Sequence, residues 1–429
     1  MLNRKQISKL RSSHLGPSLS ISYESPLHIV RGKGQYLFEA NGKRYLDAVN
    51  NIQHVGHCHP VVVKAAQDQY EKLNTNTRYL DETIVQYAKA LTSRLPKGLD
   101  VCFFTNSGSE ANDLALRIAR SITQSKETIV LDAAYHGNLT SLIQVSPYKH
   151  HGPGGKGPPN FVHIIPRPDV FRGQYRGEQV ADDYFAEVNK AIQNIHDKGK
   201  KVSVFMAESL MGCGGQLVLP KGFLKKSFEL TRQVGGLCIA DEVQIGFGRI
   251  GSHFWGFETC DVVPDIVTMG KSMGNGHPLS AVVTTKEIAD QFNNGMEYFN
   301  SFGGNPVSCA VGHAVLNVIE DESLQHNSSE VGTYLLDQLK MIDNPLIGDV
   351  RGKGLFIGIE MVKNSNLLTP ATDEAKAIVN YMKEAGILIS SDGPDHNVLK
   401  IKPPIIFTRE NADELVYNLK SIINQYYSK

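Results

Sequence analysis

Short apolar runs alternate with stretches of helical periodicity along most of this chain of 429 residues. The clearest runs are rich in β-branched and aromatic residues and predict buried strands at 101–104, 128–131, 202–205, 237–240 and 266–268. Between the first two, apolar residues recur at helical spacing and predict a helix with one buried face, formed by Ala111, Leu114, Ala115, Ile118 and Ala119. This alternation predicts an α/β fold, with a mostly parallel sheet covered by helices on both faces.

The pattern of alternating runs is interrupted within the chain and changes near both of its ends. The segment 149–173 is rich in glycine, proline and histidine and predicts a long surface loop. After about Pro306 the sequence predicts a long helix, short strands at 356–359 and 399–401, and a closing helix at 409–427. Strand-like runs also lie at 36–38 and 44–47. A second, smaller domain is therefore expected beside the main sheet.

Composition narrows the class of partner. Lysine plus arginine equals aspartate plus glutamate, at 44 each, so no overall field favours nucleic acid or an anionic membrane. The six cysteines show no metal-binding or disulfide spacing, which favours a reducing compartment. No apolar stretch approaches the roughly 18 residues that span a bilayer. We therefore expect a small-molecule substrate, with no nucleic acid and no membrane as partner.

The first fourteen residues are basic and contain no acid. This composition is typical of an ordinary N-terminal helix and also of a mitochondrial transit peptide. Cytoplasm is the expected compartment, with the mitochondrion as the alternative.

Candidate chemical groups follow the predicted strands one after another. They are the segment 106–109 after the first strand, Tyr135 after the second, Glu208 after the third, Asp241 after the fourth and Lys271 after the fifth. Ligands of open α/β sheets bind beyond the carboxyl ends of the strands, so these groups are expected to meet in one site.

Lys271 and Asp241 together indicate a cofactor. A lysine amine can bind an aldehyde covalently, and a buried carboxylate can keep a ring nitrogen protonated, which is the pair that pyridoxal 5'-phosphate requires. Burial is expected to lower the pKa of Lys271 and so make its amine a nucleophile and a proton carrier. A surface lysine and a helix-capping aspartate are the structural alternatives.

The segments 235–249 and 267–278, which contain Asp241 and Lys271, resemble the signature of the class III aminotransferases. The resemblance implies a fold type I enzyme, with a large domain at 60–320 and a small α+β domain built from both ends, 1–59 and 321–429. It also implies a homodimer with shared active sites.

The resemblance assigns roles to individual residues. Asp241 would pair with the pyridinium nitrogen, Gln244 would contact the ring hydroxyl, and Tyr135 would stack on the ring, with a core tyrosine as the alternative. Gly108 and Ser109, at the start of a predicted helix, would hold the cofactor phosphate. Ser301 lies in a segment that would reach the partner's cofactor phosphate. Glu242 is expected to be structural.

The residue that precedes a Pro-Pro pair bears on which reaction the enzyme catalyses. Family members that act on α-amino or α-keto acids often place an arginine before a Pro-Pro pair, and this chain has Lys400 there, before Pro403 and Pro404. Lysine cannot replace the two-pronged contact of arginine with a carboxylate. The segments 50–59, 73–80, 146–149, 391–394 and 400–404 resemble those of the branch of ethanolamine-phosphate and phosphohydroxylysine phospho-lyases, and this resemblance runs from about His14 to Phe407. A phospho-lyase is therefore expected, with an ordinary class III aminotransferase as the alternative; a purely binding role would need neither Lys271 nor Asp241.

A phosphorylated substrate would explain several polar residues. Asn50 and Asn51 carry amides that suit a phosphate or hydroxyl group, and Arg78, Lys149 and Lys400 are candidate cations. A charged rim at the entrance is the alternative for each cation. Glu208 is expected to pair with Lys400, as in relatives with a carboxylate–arginine gate.

Two further motifs are set aside. His54, His57 and His59 suggest a metal site by composition, but His59-Pro60 reads as the turn into a helix, so no metal is expected. The segment 152–157 lacks the first glycine and the final Ser or Thr of a nucleotide-binding loop, and no strand precedes it.

Overall fold

A computed structural model describes residues 2–364 and 366–427. In chain order the helices are α1 (Arg4–His14), α2 (Pro60–Lys72), α3 (Glu82–Thr92), α4 (Gly108–Thr123), α5 (Thr140–Gln144), α6 (Pro147–His150), α7 (Val180–Asp197), α8 (Phe223–Gln233), α9 (Lys286–Phe292), α10 (Pro306–Asp321), α11 (Leu324–Lys340), α12 (Thr372–Glu384) and α13 (Arg409–Tyr427). A 3-10 helix spans Gly256–Cys260.

The strands are β1 (Ile29–Lys33), β2 (Tyr36–Glu39), β3 (Arg44–Asp47), β4 (Val101–Thr105), β5 (Glu127–Leu131), β6 (Val162–Ile165), β7 (Val202–Glu208), β8 (Leu210–Met211), β9 (Leu217–Val218), β10 (Leu237–Asp241), β11 (Ile266–Met269), β12 (Ser280–Thr284), β13 (Ile347–Lys353), β14 (Phe356–Asn364), β15 (Thr369–Pro370), β16 (Ile387–Leu388), β17 (Ser390–Asp392) and β18 (Val398–Ile401).

The main sheet has seven strands in the order β4-β12-β11-β10-β7-β5-β6. All of them are parallel except β12, which runs antiparallel to both β4 and β11. The five strands predicted from apolar runs are all present in this sheet. The predicted α/β class with a large, mostly parallel sheet is therefore confirmed.

The sheet is buried on both faces because its side chains alternate between two apolar cores. Val204 and Met206 of β7 pack with the apolar face of α4, whereas Phe205 and Ala207 of the same strand pack into the core that contains residues of α7 and α8. The predicted helix around Ala111 is α4, and it begins at Gly108.

The prediction of an uninterrupted loop at 149–173 is wrong, since β6 lies within it at the edge of the sheet. The surrounding glycines and prolines obscured the four-residue run Val162–Ile165. The single long helix expected after Pro306 is two helices, α10 and α11, separated near Ser323, whose φ is 52°.

The two ends of the chain meet in smaller sheets. The N-terminal strands β1, β2 and β3 form a sheet with β16 from the C-terminal part, and β3 pairs with β16 in parallel. A second sheet orders β13-β14-β18-β17, with β15 on β14, and the predicted strands around Phe356 and Leu399 are β14 and β18. Within the described residues, no helix is both long enough and apolar enough to cross a membrane.

Candidate active site

The carboxyl ends of the parallel strands bring the predicted groups together. Asp241 ends β10 and is in register with Glu208, which ends the neighbouring strand β7, and with Thr268 of β11, three residues before Lys271. A cavity of ≈ 310 Å³ lies there and is lined by seven predicted residues, Gly108, Ser109, Tyr135, Glu208, Asp241, Gln244 and Lys271. A larger cavity of ≈ 950 Å³ beside α10 and α11 contains none of them, so size alone does not identify the site.

Asp241 is 3% exposed and its carboxylate is held by three hydrogen-bond donors. Asn112 Nδ2 and His136 Nδ1 both donate to Oδ2 at 2.8 Å, and the Val243 N–H donates to Oδ1 at 3.1 Å. These donors fix the position of the carboxyl group at the carboxyl end of β10, where it lines the cavity. The site therefore fits a protonated ring nitrogen at Asp241.

Lys271 follows β11 and lies in the wall of the same cavity. Burial lowers the pKa of its amine below the ordinary 10.5, and the nearby charge of Lys400 acts in the same direction, against the acids Asp241 and Glu208. A lysine with a lowered pKa is more often neutral, and only the neutral amine can attack an aldehyde.

The N-terminus of α4 forms part of the cavity wall. Ser107 caps the helix by accepting the Glu110 N–H at 3.2 Å, and the Gly108 and Ser109 N–H groups lie in its first turn. A methyl group on Gly108 would lie 2.7 Å from Val243 Cγ1, so only glycine allows the helix to begin this close to the Asp241 loop. Backbone N–H groups and the helix dipole make this end suitable for a phosphate.

Tyr135 and Lys149 lie next to each other at the other side of the site. Burial raises the pKa of the Tyr135 hydroxyl above 10.0, so the ring is neutral and free to stack. Lys149 is exposed, and its Nζ lies 5.7 Å from the Tyr135 ring centroid. Lys149 lines an adjacent cavity of ≈ 590 Å³ that it shares with Tyr148 and His396.

Gln244 makes two contacts that involve its amide oxygen. Oε1 accepts from Asn51 Nδ2 at 3.1 Å and from Lys402 Nζ at 3.2 Å. Asn51 thus joins the site through Gln244, and its other amide atom, Oδ1, stays available. Lys402 was not singled out from the sequence, although its position two residues after Lys400 places both on the same side of an extended chain.

The expected ion pair between Glu208 and Lys400 is not formed in the structure. Lys400 Nζ lies 3.1 Å from Asp392 Oδ2 on the neighbouring strand β17, so a nearer carboxylate takes its charge. Glu208 accepts the Gly212 N–H at 2.9 Å through Oε2, and its Oε1 has no partner among the described residues. Burial, with the nearby Asp241 charge, raises the pKa of Glu208 to about 7.

Six predicted residues do not line this cavity, namely Asn50, Asn51, Arg78, Lys149, Ser301 and Lys400, and the contacts of Asn51, Lys149 and Lys400 are given above. Arg78, with a side chain 57% exposed, pairs with Glu297 at 3.0 Å, and Ser301 is exposed in the loop before α10. Asn50 is half-buried, and its N–H donates to Asp47 Oδ1 at 2.9 Å. Their predicted substrate and cofactor contacts stay predictions.

The three histidines of the 54–59 segment have separate partners. His54 Nε2 contacts the Phe247 carbonyl at 2.7 Å, His57 pairs with Asp47 at 2.7 Å, and His59 contacts Glu322 at 3.0 Å. Glu242 is also accounted for, since it accepts from Ser209, Gly256 and Phe257 and ties the Asp241 loop to the 3-10 helix.

Sequence reasoning missed the two side chains that hold Asp241. Asn112 lies one helical turn after Gly108, and His136 directly follows Tyr135. A helical-wheel count from Gly108 could have placed Asn112 on the side of the cavity. His136 carries no pattern of its own, because an isolated histidine in a turn predicts no partner.

Comparison with known proteins identifies the family. Residues 20–423 match the family described as aminotransferase class-III. A Drosophila melanogaster protein named "Alanine–glyoxylate aminotransferase 2-like" is 49% identical, over 98% of this chain and 87% of its own length. A Caenorhabditis elegans protein named "Ethanolamine-phosphate phospho-lyase homolog 1" is 41% identical, over 98% of this chain and 94% of its own length.

Solved structures of a phospholyase and of a transaminase align with this chain over nearly its whole length. A phospholyase from Arthrobacter in complex with phosphoethanolamine aligns with a TM-score of 0.93 and 41% identity, over 97% of this chain and 99% of that chain. A transaminase from the marine bacterium Virgibacillus aligns with a TM-score of 0.88 and 26% identity, over 98% of both chains. The family match and the relatives agree with a cavity that contains Lys271, Asp241 and the N-terminus of α4: the chain belongs to the class III aminotransferase family of pyridoxal-phosphate-dependent enzymes.

Proposed function

We propose that this enzyme is a phospho-lyase, which eliminates phosphate from an O-phosphorylated amino alcohol such as ethanolamine phosphate. The products are an aldehyde, ammonia and phosphate. The observation that carries the proposal is the similarity, over nearly the whole chain, to a phospholyase that was solved with phosphoethanolamine bound.

The cationic residue on β18 supports the same reading. Lys400 occupies the position where α-amino-acid aminotransferases of the family often have arginine, and Asp392 already lies 3.1 Å from its ammonium. A single lysine with a carboxylate beside it is a poor clamp for an α-carboxylate, which arginine holds with two parallel hydrogen bonds. A substrate without an α-carboxylate suits this wall better.

The residues of the cavity have different roles in the proposed reaction. Bound pyridoxal 5'-phosphate supplies an electron sink for the charge that develops on the substrate carbon. Asp241 would hold the protonated ring nitrogen, and the neutral amine of Lys271 would remove the proton from the substrate carbon that bears the amino group. The C–O bond to phosphate on the neighbouring carbon then breaks, its electron pair leaves with phosphate, and hydrolysis of the unsaturated amine gives the aldehyde and ammonia.

The substrate phosphate would be bound by polar residues around the cavity. Asn50, Asn51, Arg78, Lys149 and Lys400 are the proposed set, and Glu208 faces the same space. Among the cations, Lys149 is the best placed, because its ammonium lies near the Tyr135 ring and no ion pair engages it among the described residues.

A class III aminotransferase is the second candidate. It is favoured by the relative of 49% identity, whose name is that of an aminotransferase. Both reactions share the removal of the proton by Lys271, so the residues that bind the cofactor cannot distinguish them.

We also propose a homodimer with shared active sites. Five large apolar side chains are exposed near Ser301, namely Tyr79, Leu80, Met296, Phe299 and Phe302. The contact of Arg78 with Glu297 and with the Phe299 ring holds the two segments that carry them together, and we call these five residues the Leu80 surface. A second copy that covers this surface would bring Ser301 to the partner's cofactor phosphate. Cytoplasm is the compartment we propose, although relatives named as mitochondrial exist.

The test is phosphate release from ethanolamine phosphate by the enzyme loaded with cofactor, with no keto acid present. We expect one phosphate and one ammonia for each aldehyde, and we expect Lys271→Ala to abolish turnover. If phosphate is not released while amino groups are transferred to pyruvate, the enzyme is an aminotransferase and the phospho-lyase proposal is wrong.

A further inference from the structure

Lys402 is a buried cation with no assigned role in the reaction. It follows β18, its side chain is fully buried at 0% exposure, and its Nζ lies 4.1 Å from the centre of the Phe356 ring. Its backbone is fixed as well, because its N–H donates to the Ala48 carbonyl at 2.8 Å. Burying a lysine costs free energy unless its ammonium group makes a favourable contact.

That contact is with Gln244. Lys402 Nζ donates to Gln244 Oε1 at 3.2 Å, and Asn51 Nδ2 donates to the same oxygen at 3.1 Å. Asparagine could turn its amide and accept instead, but an ammonium group can only donate. Lys402 is therefore the member of this trio that decides which end of the Gln244 amide points toward it.

The other end of the amide faces the cavity. Gln244 lines the cavity together with Asp241 and Lys271, and its Nε2 has no hydrogen-bond partner among the described residues. Gly212 leaves room for this nitrogen, since a methyl group there would lie 2.5 Å from Nε2. Among the residues that the structure describes, Nε2 is thus a donor without an acceptor.

We propose that Lys402 is a positioning residue, which fixes the Gln244 amide so that Nε2 donates to the ring oxygen of bound pyridoxal 5'-phosphate. A turned amide would present Oε1 to the cavity, and an oxygen there would repel the ring oxygen, which is itself an acceptor. The inference concerns cofactor binding, so it stands whether the enzyme proves to be a phospho-lyase or an aminotransferase.

Other charges surround Lys402. Burial lowers its pKa to about 7, the Lys400 charge on the same chain segment adds to this effect, and Asp392, Cys213 and Glu208 oppose it. The ammonium form, which can only donate, is therefore most populated below that pH. The test is best made at about pH 6.

The test measures the affinity of the apo-enzyme for pyridoxal 5'-phosphate by absorbance or fluorescence titration. Lys402→Met keeps the length of the side chain and removes its donor, and we expect a loss of affinity of about tenfold, the effect of one hydrogen bond. The buried Lys383, which pairs with Glu384 away from the cavity, provides the control Lys383→Met, for which we expect affinity within about twofold of the unmodified enzyme.

A double-mutant cycle separates positioning from general support of the site. Gln244→Ala should lower the affinity, and adding Lys402→Met to it should cause no further loss, because there is no amide left to orient. If Lys402→Met has no effect alone, or lowers the affinity by the same factor with and without Gln244, the proposal is wrong.

A second variant keeps the proposal testable if Lys402→Met does not fold. Gln244→Glu retains a partner for Lys402 but replaces Nε2 with an oxygen. We expect it to bind the cofactor more weakly than Gln244→Ala and to alter the visible absorption of the loaded enzyme, because an acceptor then faces the ring oxygen. Affinity equal to that of the unmodified enzyme would contradict the donor role of Nε2.

Discussion

At the scale of single residues, the buried acids around the active site differ in their hydrogen-bond donors, but the number of donors alone does not set the pKa of a carboxyl group. Asp241 has three donors and lines the cavity. Glu242 also has three, but burial still raises its pKa to about 7. Glu208 has one donor, the Gly212 N–H, and no cation within ion-pair distance among the described residues. For Glu208 and Glu242, burial therefore outweighs the donors and raises the pKa of the carboxyl group to about 7.

Glu208 should make the protein less stable as pH rises. Its pKa is about 7 in the folded protein, against an ordinary value of 4.5, so the folded state holds a proton between these values that the unfolded chain has lost. The contribution of Glu208 to the free energy of unfolding therefore falls from about pH 4.5 to pH 7. The free energy of unfolding of the apo-enzyme can be measured with urea at pH 5 and pH 7. The loss of this free energy between pH 5 and pH 7 should be smaller for Glu208→Gln than for the unmodified protein. An unchanged difference would mean that Glu208 is ionised throughout.

At the scale of elements, the cofactor site exists because helix α4 begins directly against the loop after β10. Gly108 permits this approach, and Val243 is the residue that it meets. The same contact places the first turn of α4 close to the loop that follows Asp241, so one packing contact sets two walls of the cavity. Asn112, one turn further along α4, then reaches Asp241 at 2.8 Å.

Gly108→Ala should disturb both ends of the site. Its methyl group would lie 2.7 Å from Val243 Cγ1 and 2.9 Å from Cγ2, and relief of this overlap should cost about 1–3 kcal/mol of stability and weaken cofactor binding. The double variant Gly108→Ala with Val243→Ala should recover part of the affinity. Gly16→Ala, whose methyl group would meet only Ser18 at 3.8 Å, serves as the control in thermal unfolding and cofactor titration. If the double variant recovers no cofactor affinity, the overlap with Val243 is not the cause of the weaker binding.

At the scale of the whole molecule, both chain ends contribute to the small sheets that flank the main one. The parallel pairing of β3 with β16 joins residues near position 46 to residues near position 387. We retain the division at 1–59, 60–320 and 321–429 as a proposal. The Leu80 surface lies beside Ser301 and is the face that we assign to a second copy of the chain.

Leu80→Asp tests that assembly. Leu80 is fully exposed in the single chain, and a charge buried at an apolar interface is strongly unfavourable. We expect the variant to sediment as a monomer and to bind cofactor more weakly, because Ser301 no longer reaches the partner's site. Tyr417→Asp, on an exposed position of α13, should remain dimeric. A Leu80→Asp variant that is still a dimer, or a monomer with unchanged cofactor affinity, would contradict shared sites on this surface.

The α/β class, five strands of the main sheet and, through the family resemblance, the cofactor could be predicted from the sequence alone. Apolar periodicity reports which segments are buried, and Lys271 and Asp241 each follow such a segment, so their meeting was a consequence of parallel strands. The short edge strand β6 and the break between α10 and α11 were missed, because four residues among glycines and prolines, or one turn between two helical patterns, leave little periodic signal.

Only the tertiary structure decided which side chains are partners. Asn112 and His136 reach Asp241, Lys402 reaches Gln244, and Asp392 rather than Glu208 takes the charge of Lys400. These contacts join residues from distant parts of the chain, and a pairing within about 3 Å depends on how elements pack, which local sequence does not encode. The sequence determined what kinds of groups enter the site; packing determined which of them touch.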